Sequence, residues 1–349
     1  MATEYKIALV GASSLLAKEL KEALTESPLA SASFLLLDEK DAQGQLDQIG
    51  DEVIVVQSVE TNSFEGIDFT FFAGSEEQTK GYWRHAVRAG SMVLDLSGAL
   101  DGEPGVLVRS PWLGDSIDSP DLLTKAIVPA NAAALALALL LDRLQEIAEV
   151  KFVAATVLQP ASEFGKDALD ELHQQTVSLL SFQTMPRAMF DTQVAYNMLS
   201  SFGESATANL ANAESRIRRH YAALAGNKLP ELRLQLLNAP VFHGHTFSIC
   251  IELDRALPLS SIEDALGGEH LDLVLEATDS PSNLAAVGQN DVLVWLKPEP
   301  PIAADAERGS GEISRFWLWA ASDNLRLTAL NAIDCALDLR RLRPKGQVQ

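Results

Sequence analysis

The sequence has few cysteines, few aromatic residues and fewer basic than acidic residues. Only two of its 349 residues are cysteines, Cys250 and Cys335, and both lie inside apolar runs. Such sparse usage argues against a disulfide framework and is typical of a reducing compartment. The chain starts directly with a strand-like segment and lacks the basic and apolar regions of a secretory signal. We therefore expect a cytoplasmic protein.

The shortage of basic residues limits the class of partner. Lys and Arg number 27 against 48 Asp and Glu, which gives a formal net charge of −21. A surface of this charge repels nucleic acids and anionic membranes, so we expect neither as a partner. The longest apolar run, about residues 132–141, is too short to span a bilayer. The hydrophobic fraction of 47% is ample for packed cores.

The length favours two domains. Apolar, strand-like runs alternate with helical spacing in the first part of the chain. The runs are residues 5–10, 33–37, 52–56, 69–73 and 92–96, with helices over 15–25 and 76–89. Buried strands separated by helices predict a parallel sheet covered on both faces, in a Rossmann-like α/β arrangement. We predict this domain for residues 1–130, completed by a helix over 325–345.

Residues 131–324 have a different pattern, in which strands and helices do not alternate strictly. This pattern predicts a second domain of the α+β class. The predicted strands are residues 151–158, 231–237, 246–253, 292–295 and 316–321, and the predicted helices are 166–180 and about 206–225.

A candidate phosphate loop follows the first strand and opens the first helix. Amides at a helix N-terminus and the helix dipole favour an anion there. Gly11 is the one glycine left of the usual fingerprint, because Ser14 and Ala17 stand where later glycines are expected. The alternative is a purely structural strand-turn-helix.

Asp38 ends the second predicted strand. An acid at this position commonly accepts a hydrogen bond from the ribose 2′-hydroxyl of NAD. Glu39 and Asp41 add negative charge that would repel a 2′-phosphate, so NAD is favoured over NADP if either binds. The alternative is a solvated acidic turn.

Several segments, in order along nearly the whole chain, resemble motifs of the aspartate-semialdehyde dehydrogenase family. Residues 11–20 (GASSLLAKEL) resemble GATGxVGxxL, and residues 239–246 (APVFHGHT) resemble VPVxxGHS. The other matching segments are residues 72–75, 93–97, 156–162, 194–199 and 321–326. The chain is also similar to a bacterial branch of the family that lacks the catalytic cysteine. The resemblance implies the two-domain fold of the family and a homodimer formed through the second domain.

The resemblance also assigns roles to particular residues. The family uses a cysteine nucleophile, a histidine as acid and base, and a glutamine that orients the substrate. The matching positions are Ala132, His245 and Gln159. Cofactor contacts are implied at Gly11, Ser13, Ser14, Asp38, Gly74, Ser97 and Asn324. For His245 the alternative is a histidine kept for packing, and a glutamine at a strand end is commonplace.

The charged residues with which the family binds an anionic substrate are not retained. The segment 97–101, where the resemblance places an arginine, has none, and the segment 206–211 has no charged residue. Because alanine has no nucleophilic atom, we expect a protein that is catalytically degenerate for the family reaction. It could act as a dimeric scaffold, as a partner of another protein or as a nucleotide sensor. The alternative is an NAD(P)-dependent oxidoreductase acting on an aldehyde or oxo group without a thiol. His243 and His245 would lie on one face of an extended segment, where two histidines could bind a metal. No third ligand occurs at a suggestive spacing, so we expect no metal.

Overall fold

A computed structural model of the protein describes residues 5–116, 120–121, 123–299 and 312–342. The chain divides into two units. The first runs to Ala130 and resumes at Thr328, and the second is Asn131–Leu327. Residues 343–345 of the predicted last helix lie outside the described residues.

The first unit is built on a parallel sheet. Its strands are β1 (Lys6–Val10), β2 (Ser33–Asp38), β3 (Leu46–Ile49), β4 (Glu52–Val55), β5 (Gln57–Ser58), β6 (Phe69–Phe72), β7 (Met92–Asp95), β8 (Leu107–Arg109) and β9 (Ala126–Pro129), and its first helices are α1 (Leu15–Thr25) and α2 (Glu76–Arg88). Within the described residues the sheet order is β5-β2-β1-β6-β7-β9-β8, and all its pairs are parallel. The Rossmann-like prediction is thereby confirmed.

One predicted strand of this sheet was placed wrongly. The apolar run at residues 52–56 was expected to join the parallel sheet, but β4 pairs antiparallel with β3 in a separate hairpin. The short strand β5 takes the place beside β2. The residues of β4 are mostly exposed, so a run of valine and isoleucine indicated a strand correctly but not its burial.

The second unit contains a mixed sheet with helices. Its elements are α3 (Ala132–Gln145), β10 (Val150–Gln159), α4 (Lys166–Leu180), α5 (Leu210–Ala225), β11 (Arg233–Asn238), β12 (His245–Pro258), α6 (Leu259–Leu266), β13 (Leu271–Leu273), α7 (Asn283–Ala286), β14 (Val292–Pro298) and β15 (Glu312–Ser322). In the described part of the chain the sheet order is β11-β10-β12-β15-β14-β13. Strand β12 is antiparallel to both of its neighbours, β10 and β15. The α+β prediction is confirmed.

Helix α5 begins later than the sequence predicted. The expected start was about residue 206, whereas Asn209 caps the helix by accepting a hydrogen bond from the amide of Asn212. Asparagine is a preferred N-cap because its side-chain oxygen satisfies an amide that has no partner within the helix.

The last helix, α8 (Asn324–Leu342), begins in the second unit and belongs to the first from Thr328 onward. Within the first unit, the buried Arg109 forms an ion pair with the half-buried Asp338, with an Nη2–Oδ2 distance of 2.8 Å. Trp112 donates its indole hydrogen to Asp334, one turn earlier on the helix. These contacts fix α8 to the end of β8 and to the segment that follows it. No helix in the described residues is long and apolar enough to cross a bilayer.

Candidate functional site

The candidate dinucleotide loop lies between β1 and α1. Gly11 has φ +79°, a conformation that favours glycine, and a Cβ at this position would overlap the Cα of Gly74. Gly74 follows β6, so two turns of the parallel sheet touch through their backbones. The amide of Ala73 also donates to the carbonyl of Val10 at 2.9 Å. Both glycines are therefore required for the packing of these turns.

The two serines of the loop are engaged inside the protein. The hydroxyl of Ser14 accepts from the amide of Ala17 at 3.0 Å and donates to the carbonyl of Ala73 at 2.8 Å. Ser14 is thus the N-cap of α1, and it also ties the helix to the turn after β6. Ser13 donates through both its amide and its hydroxyl to one carboxylate oxygen of Asp38, at 2.8 and 2.6 Å.

Asp38 is buried and accepts four hydrogen bonds. Two come from Ser13 to Oδ2. The amide of Glu39 and the side-chain amide of Gln78 donate to Oδ1, at 2.8 and 3.2 Å. Burial pushes the pKa of this carboxyl upward, but the hydrogen bonds together outweigh burial and hold its pKa below the usual value. A carboxylate offers about four acceptor positions, so a ribose hydroxyl would have to displace one of these donors.

Ser97 is tied to its own strand and to α2. Its amide and hydroxyl both donate to Asp95 Oδ1, at 2.9 and 2.6 Å, and its hydroxyl lies 2.9 Å from that of Thr79. Thus Gly11, Ser13, Ser14, Asp38 and Gly74 form one cluster. Ser97 follows β7, which pairs with β6, the strand that precedes Gly74.

The N-terminus of α3 holds Ala132, the position that the resemblance gives to the nucleophile. Asn131 caps the helix, because its side-chain oxygen accepts from the amides of Ala133 and Ala134 at 3.0 and 3.3 Å. Its own amide donates to Nδ1 of the buried His220 on α5 at 2.9 Å. The N-terminus of α3 is therefore capped, but the side chain of its first residue, Ala132, is a buried methyl group.

Four side chains lie in register across the end of the mixed sheet. Asn238 on β11 pairs with Gln159 on β10, and His245 on β12 pairs with Ser322 on β15. The register of β10 with β12 ends at Leu158 and Thr246, so the next residue on each strand, Gln159 and His245, continues it at the end of the sheet. Residues in register project from the same face of a sheet, so these four side chains form what we call the polar row. Their exposed fractions are only 1%, 2%, 0% and 0%, in the order Asn238, Gln159, His245 and Ser322.

The polar row differs from the loop in its hydrogen bonding. Among the described residues, both ring nitrogens of His245, Oδ1 of Asn238 and Oγ of Ser322 have no hydrogen-bond partner. Burial lowers the pKa of His245, although the charges of Glu163 and Asp323 oppose that effect. The imidazole is therefore neutral at pH 7, with one donor and one acceptor nitrogen.

Glu163 is the carboxylate next to this imidazole. Its Oε1 lies 3.8 Å from Nε2 of His245 and accepts from Nδ2 of Asn324 at 2.9 Å. Asn324 is buried, and it also contacts Ser162 and accepts from the amide of Gly244 at 3.1 Å. Asn324, expected among the cofactor residues, thus orients Glu163 toward His245 within the second unit.

The sequence singled out Gln159 and His245 but not Asn238, Ser322 or Glu163. A polar residue at the end of an apolar strand is a weak signal, and the row becomes visible only once the register of four strands is known. His243 does not share a strand with His245, because Gly244 between them has φ +83° and β12 begins at His245. In the described residues no group of three or more His, Cys, Asp or Glu could hold a metal ion.

Comparison with known families agrees with this architecture. Residues 6–120 match the family description "Semialdehyde dehydrogenase, NAD binding domain", and residues 141–327 match "Semialdehyde dehydrogenase, dimerisation domain". The second match alone spans more than half of the chain. The protein therefore belongs to the semialdehyde dehydrogenase family, with both of its domains.

Individual relatives carry two kinds of name. The "USG-1 protein homolog" of Azotobacter vinelandii is 29% identical over 96% of this chain and 98% of its own. The aspartate-semialdehyde dehydrogenase of Rickettsia bellii is 25% identical over 97% of this chain and 98% of its own. The solved structure of a probable aspartate-semialdehyde dehydrogenase from Pseudomonas aeruginosa has a TM-score of 0.84 at 24% identity, over 98% of this chain and 99% of its own. At that identity the structural likeness supports the fold.

Proposed function

We propose that this chain does not carry out the thiol-dependent reaction of its family and acts as a homodimeric scaffold, partner or nucleotide-sensing protein in the cytoplasm. The observation that carries the proposal is Ala132 at the start of α3, where the resemblance places the nucleophile. A methyl group cannot add to an aldehyde or an acyl phosphate.

Neither cysteine replaces the lost nucleophile. Cys250 lies within β12 between its partners Ala154 and Trp317, well inside the mixed sheet. Cys335 is buried in the first unit, where its sulfur lies 3.6 Å from the carbonyl oxygen of Arg109. Burial raises the pKa of both thiols, which keeps them in the unreactive neutral form.

The match of residues 141–327 to a dimerisation domain supports the homodimer. Support for a nucleotide is weaker. The first unit matches an NAD-binding domain, but the acceptor positions of Asp38 are filled and both loop serines are engaged. With these hydrogen bonds in place, Asp38 and the loop serines do not fit a site that binds a ribose hydroxyl. The proposal therefore includes a nucleotide only as a ligand that the protein senses. NAD is favoured over NADP only because the acidic residues after Asp38 would repel a 2′-phosphate.

The test is an assay of the purified protein with aspartate semialdehyde, phosphate and either NADP or NAD. We expect no turnover above the blank from the natural chain. We also expect none from Ala132→Cys, because the segments that should grip an anionic substrate have lost their charged residues. Turnover by the natural chain would overturn the proposal. Turnover by Ala132→Cys alone would show that only the nucleophile had been lost.

Binding of nucleotides is measured separately by calorimetry and thermal shift with NAD, NADH and NADP. A ligand present at one hundred times its Kd stabilises a protein by about 2.7 kcal/mol, which is readily detected. Binding of NAD in preference to NADP supports nucleotide sensing. No binding of any of the three at millimolar concentration leaves the scaffold or partner role.

A second candidate is favoured by the pairing of His245 with Glu163. A neutral imidazole beside an oriented carboxylate can exchange a proton with a carbonyl oxygen without a thiol. The chain would then be an NAD(P)-dependent oxidoreductase for small aldehydes or ketones. If the natural chain consumes NADH or NADPH in the presence of a small aldehyde or ketone and His245→Gln does not, that result would support this candidate. No consumption by the natural chain would remove it.

A further inference from the structure

The polar row presents unpaired hydrogen-bonding atoms of both kinds. Oδ1 of Asn238 only accepts hydrogen bonds, whereas the hydroxyl of Ser322 both donates and accepts. His245 contributes one donor and one acceptor nitrogen while it is neutral. Such atoms in the interior of a protein are normally paired, so four of them in one row need an explanation. A bound molecule that brings both donors and acceptors would satisfy them.

The charge next to the row is negative. Glu163 lies 3.8 Å from His245 and is held there by Asn324, and Asp323 acts on the same imidazole. None of the four residues in the row is Lys or Arg. A carboxylate or phosphate ligand would be repelled by Glu163. It would also bring no hydrogen for the acceptor atoms of Asn238 and His245, since an ionised carboxylate only accepts.

We propose that the polar row binds an uncharged small molecule that carries N–H or O–H donors beside a carbonyl, with the primary carboxamide as the simplest such group, and that Glu163 excludes anionic ligands. The proposal builds on the proposed function only in that this site no longer serves the family reaction. The side chain of Glu163 is 18% exposed, more than any member of the row, so a ligand would enter on its side.

The chain offers a matched control for Glu163. Glu269 and His270 form a second carboxylate–imidazole pair at the same Oε1–Nε2 distance of 3.8 Å, but Glu269 is 83% exposed. Replacing either carboxylate by glutamine changes the same atoms. Only Glu163→Gln alters the charge beside the polar row.

The experiment compares isobutyramide with isobutyrate, which have nearly the same shape and differ in charge and in donors. Binding is followed by NMR of the full chain with labelled histidine, with the His245 ring signals assigned from the His245→Gln spectrum. We expect isobutyramide to shift the His245 signals at millimolar concentration, and isobutyrate to bind at least about tenfold more weakly. Glu163→Gln should reduce that ratio at least about threefold, whereas Glu269→Gln should leave it unchanged.

A second variant checks the row itself. Ser322→Ala removes one unpaired hydroxyl with little change in volume, and it should weaken isobutyramide at least about threefold. Equal binding of the two probes, equal effects of the two glutamine variants, or shifts that miss His245 would each overturn the proposal. Because these readouts need no dehydrogenase turnover, they can fail while the loss of the family reaction stands, and the reverse also holds.

Discussion

The candidate dinucleotide loop of the first unit and the polar row of the second unit both contain buried polar atoms, but those of the loop are paired by hydrogen bonds and several of those of the row are not. In the loop, Asp38 fills its acceptor positions with donors from three neighbouring segments. In the row, atoms of Asn238, His245 and Ser322 have no partner within the described residues. A paired buried group stabilises the fold, whereas an unpaired one costs stability and is kept for another reason. Polarity in the loop therefore serves structure, whereas the binding role that we propose for the row accounts for its unpaired atoms.

The largest effect is expected at Asp38. Its replacement by alanine leaves the donors of Ser13, Glu39 and Gln78 without their acceptor, and we expect the free energy of unfolding to fall by about 3 kcal/mol. Urea denaturation measures this loss. The exposed Asp41 is the control, because its replacement by alanine should change stability by less than about 0.5 kcal/mol. Similar small losses for both variants would mean that the hydrogen bonds of Asp38 contribute little to the fold.

A smaller effect distinguishes two serine-to-alanine changes. Ser13→Ala removes a hydroxyl that donates to the ionised Asp38, and should lower the free energy of unfolding by about 1 kcal/mol. Ser322→Ala removes a buried hydroxyl without a partner, and should leave stability unchanged or raise it by up to about 1 kcal/mol. Both are read from the same denaturation experiment. A loss at Ser322 as large as that at Ser13 would break the comparison between the loop and the row.

The smallest effect is expected in the pH dependence of the free energy of unfolding. Burial holds the pKa of His245 below its usual 6.5, although Glu163 and Asp323 oppose the shift. The unfolded chain therefore takes up a proton below about pH 6.5 while the folded imidazole stays neutral, so stability falls as the pH is lowered from there toward the folded pKa. Asp38 also has a lowered pKa, but its contribution is lost only below its unperturbed value of 3.8.

The measurement is the urea midpoint between pH 7.5 and pH 4.5 for the natural chain and for His245→Gln. The glutamine variant should show a flatter decline below pH 6.5. Identical slopes in that window would show that the imidazole takes up its proton in the folded protein as readily as in the unfolded chain.

Much of the fold could be predicted because its signals are local. The helical spacing over residues 15–25 predicted α1 with the bounds that the structure shows, and the prediction over residues 166–180 did the same for α4. The placement of β4 was wrong because its choice of partner depends on β3 and on burial, which the run of valines does not encode.

The candidate site was predictable only in part for a similar reason. His245 and Gln159 stand at positions to which the family resemblance assigns a role, so they could be found in the sequence. Asn238 and Ser322 join them only through the register of four strands, and Glu163 through its contact with Asn324. Asp38 was identified as a notable acid, but the filling of its acceptors by Ser13 and Gln78 depends on contacts 25 and 40 residues apart in sequence.

The contact between Gly11 and Gly74 also constrains the order in which the chain can fold. The hydroxyl of Ser14 donates to the carbonyl of Ala73, 59 residues later, and the turn at Gly11 packs against Gly74. Closing the loop between these two turns costs chain entropy, and the contacts that offset this cost form only once the loop is closed. During synthesis β1 and α1 leave the ribosome first, yet their connection stays incomplete until β6 and the turn after it have emerged. A nascent chain stalled before that point would present an open, hydrophobic β1 to chaperones or to other chains.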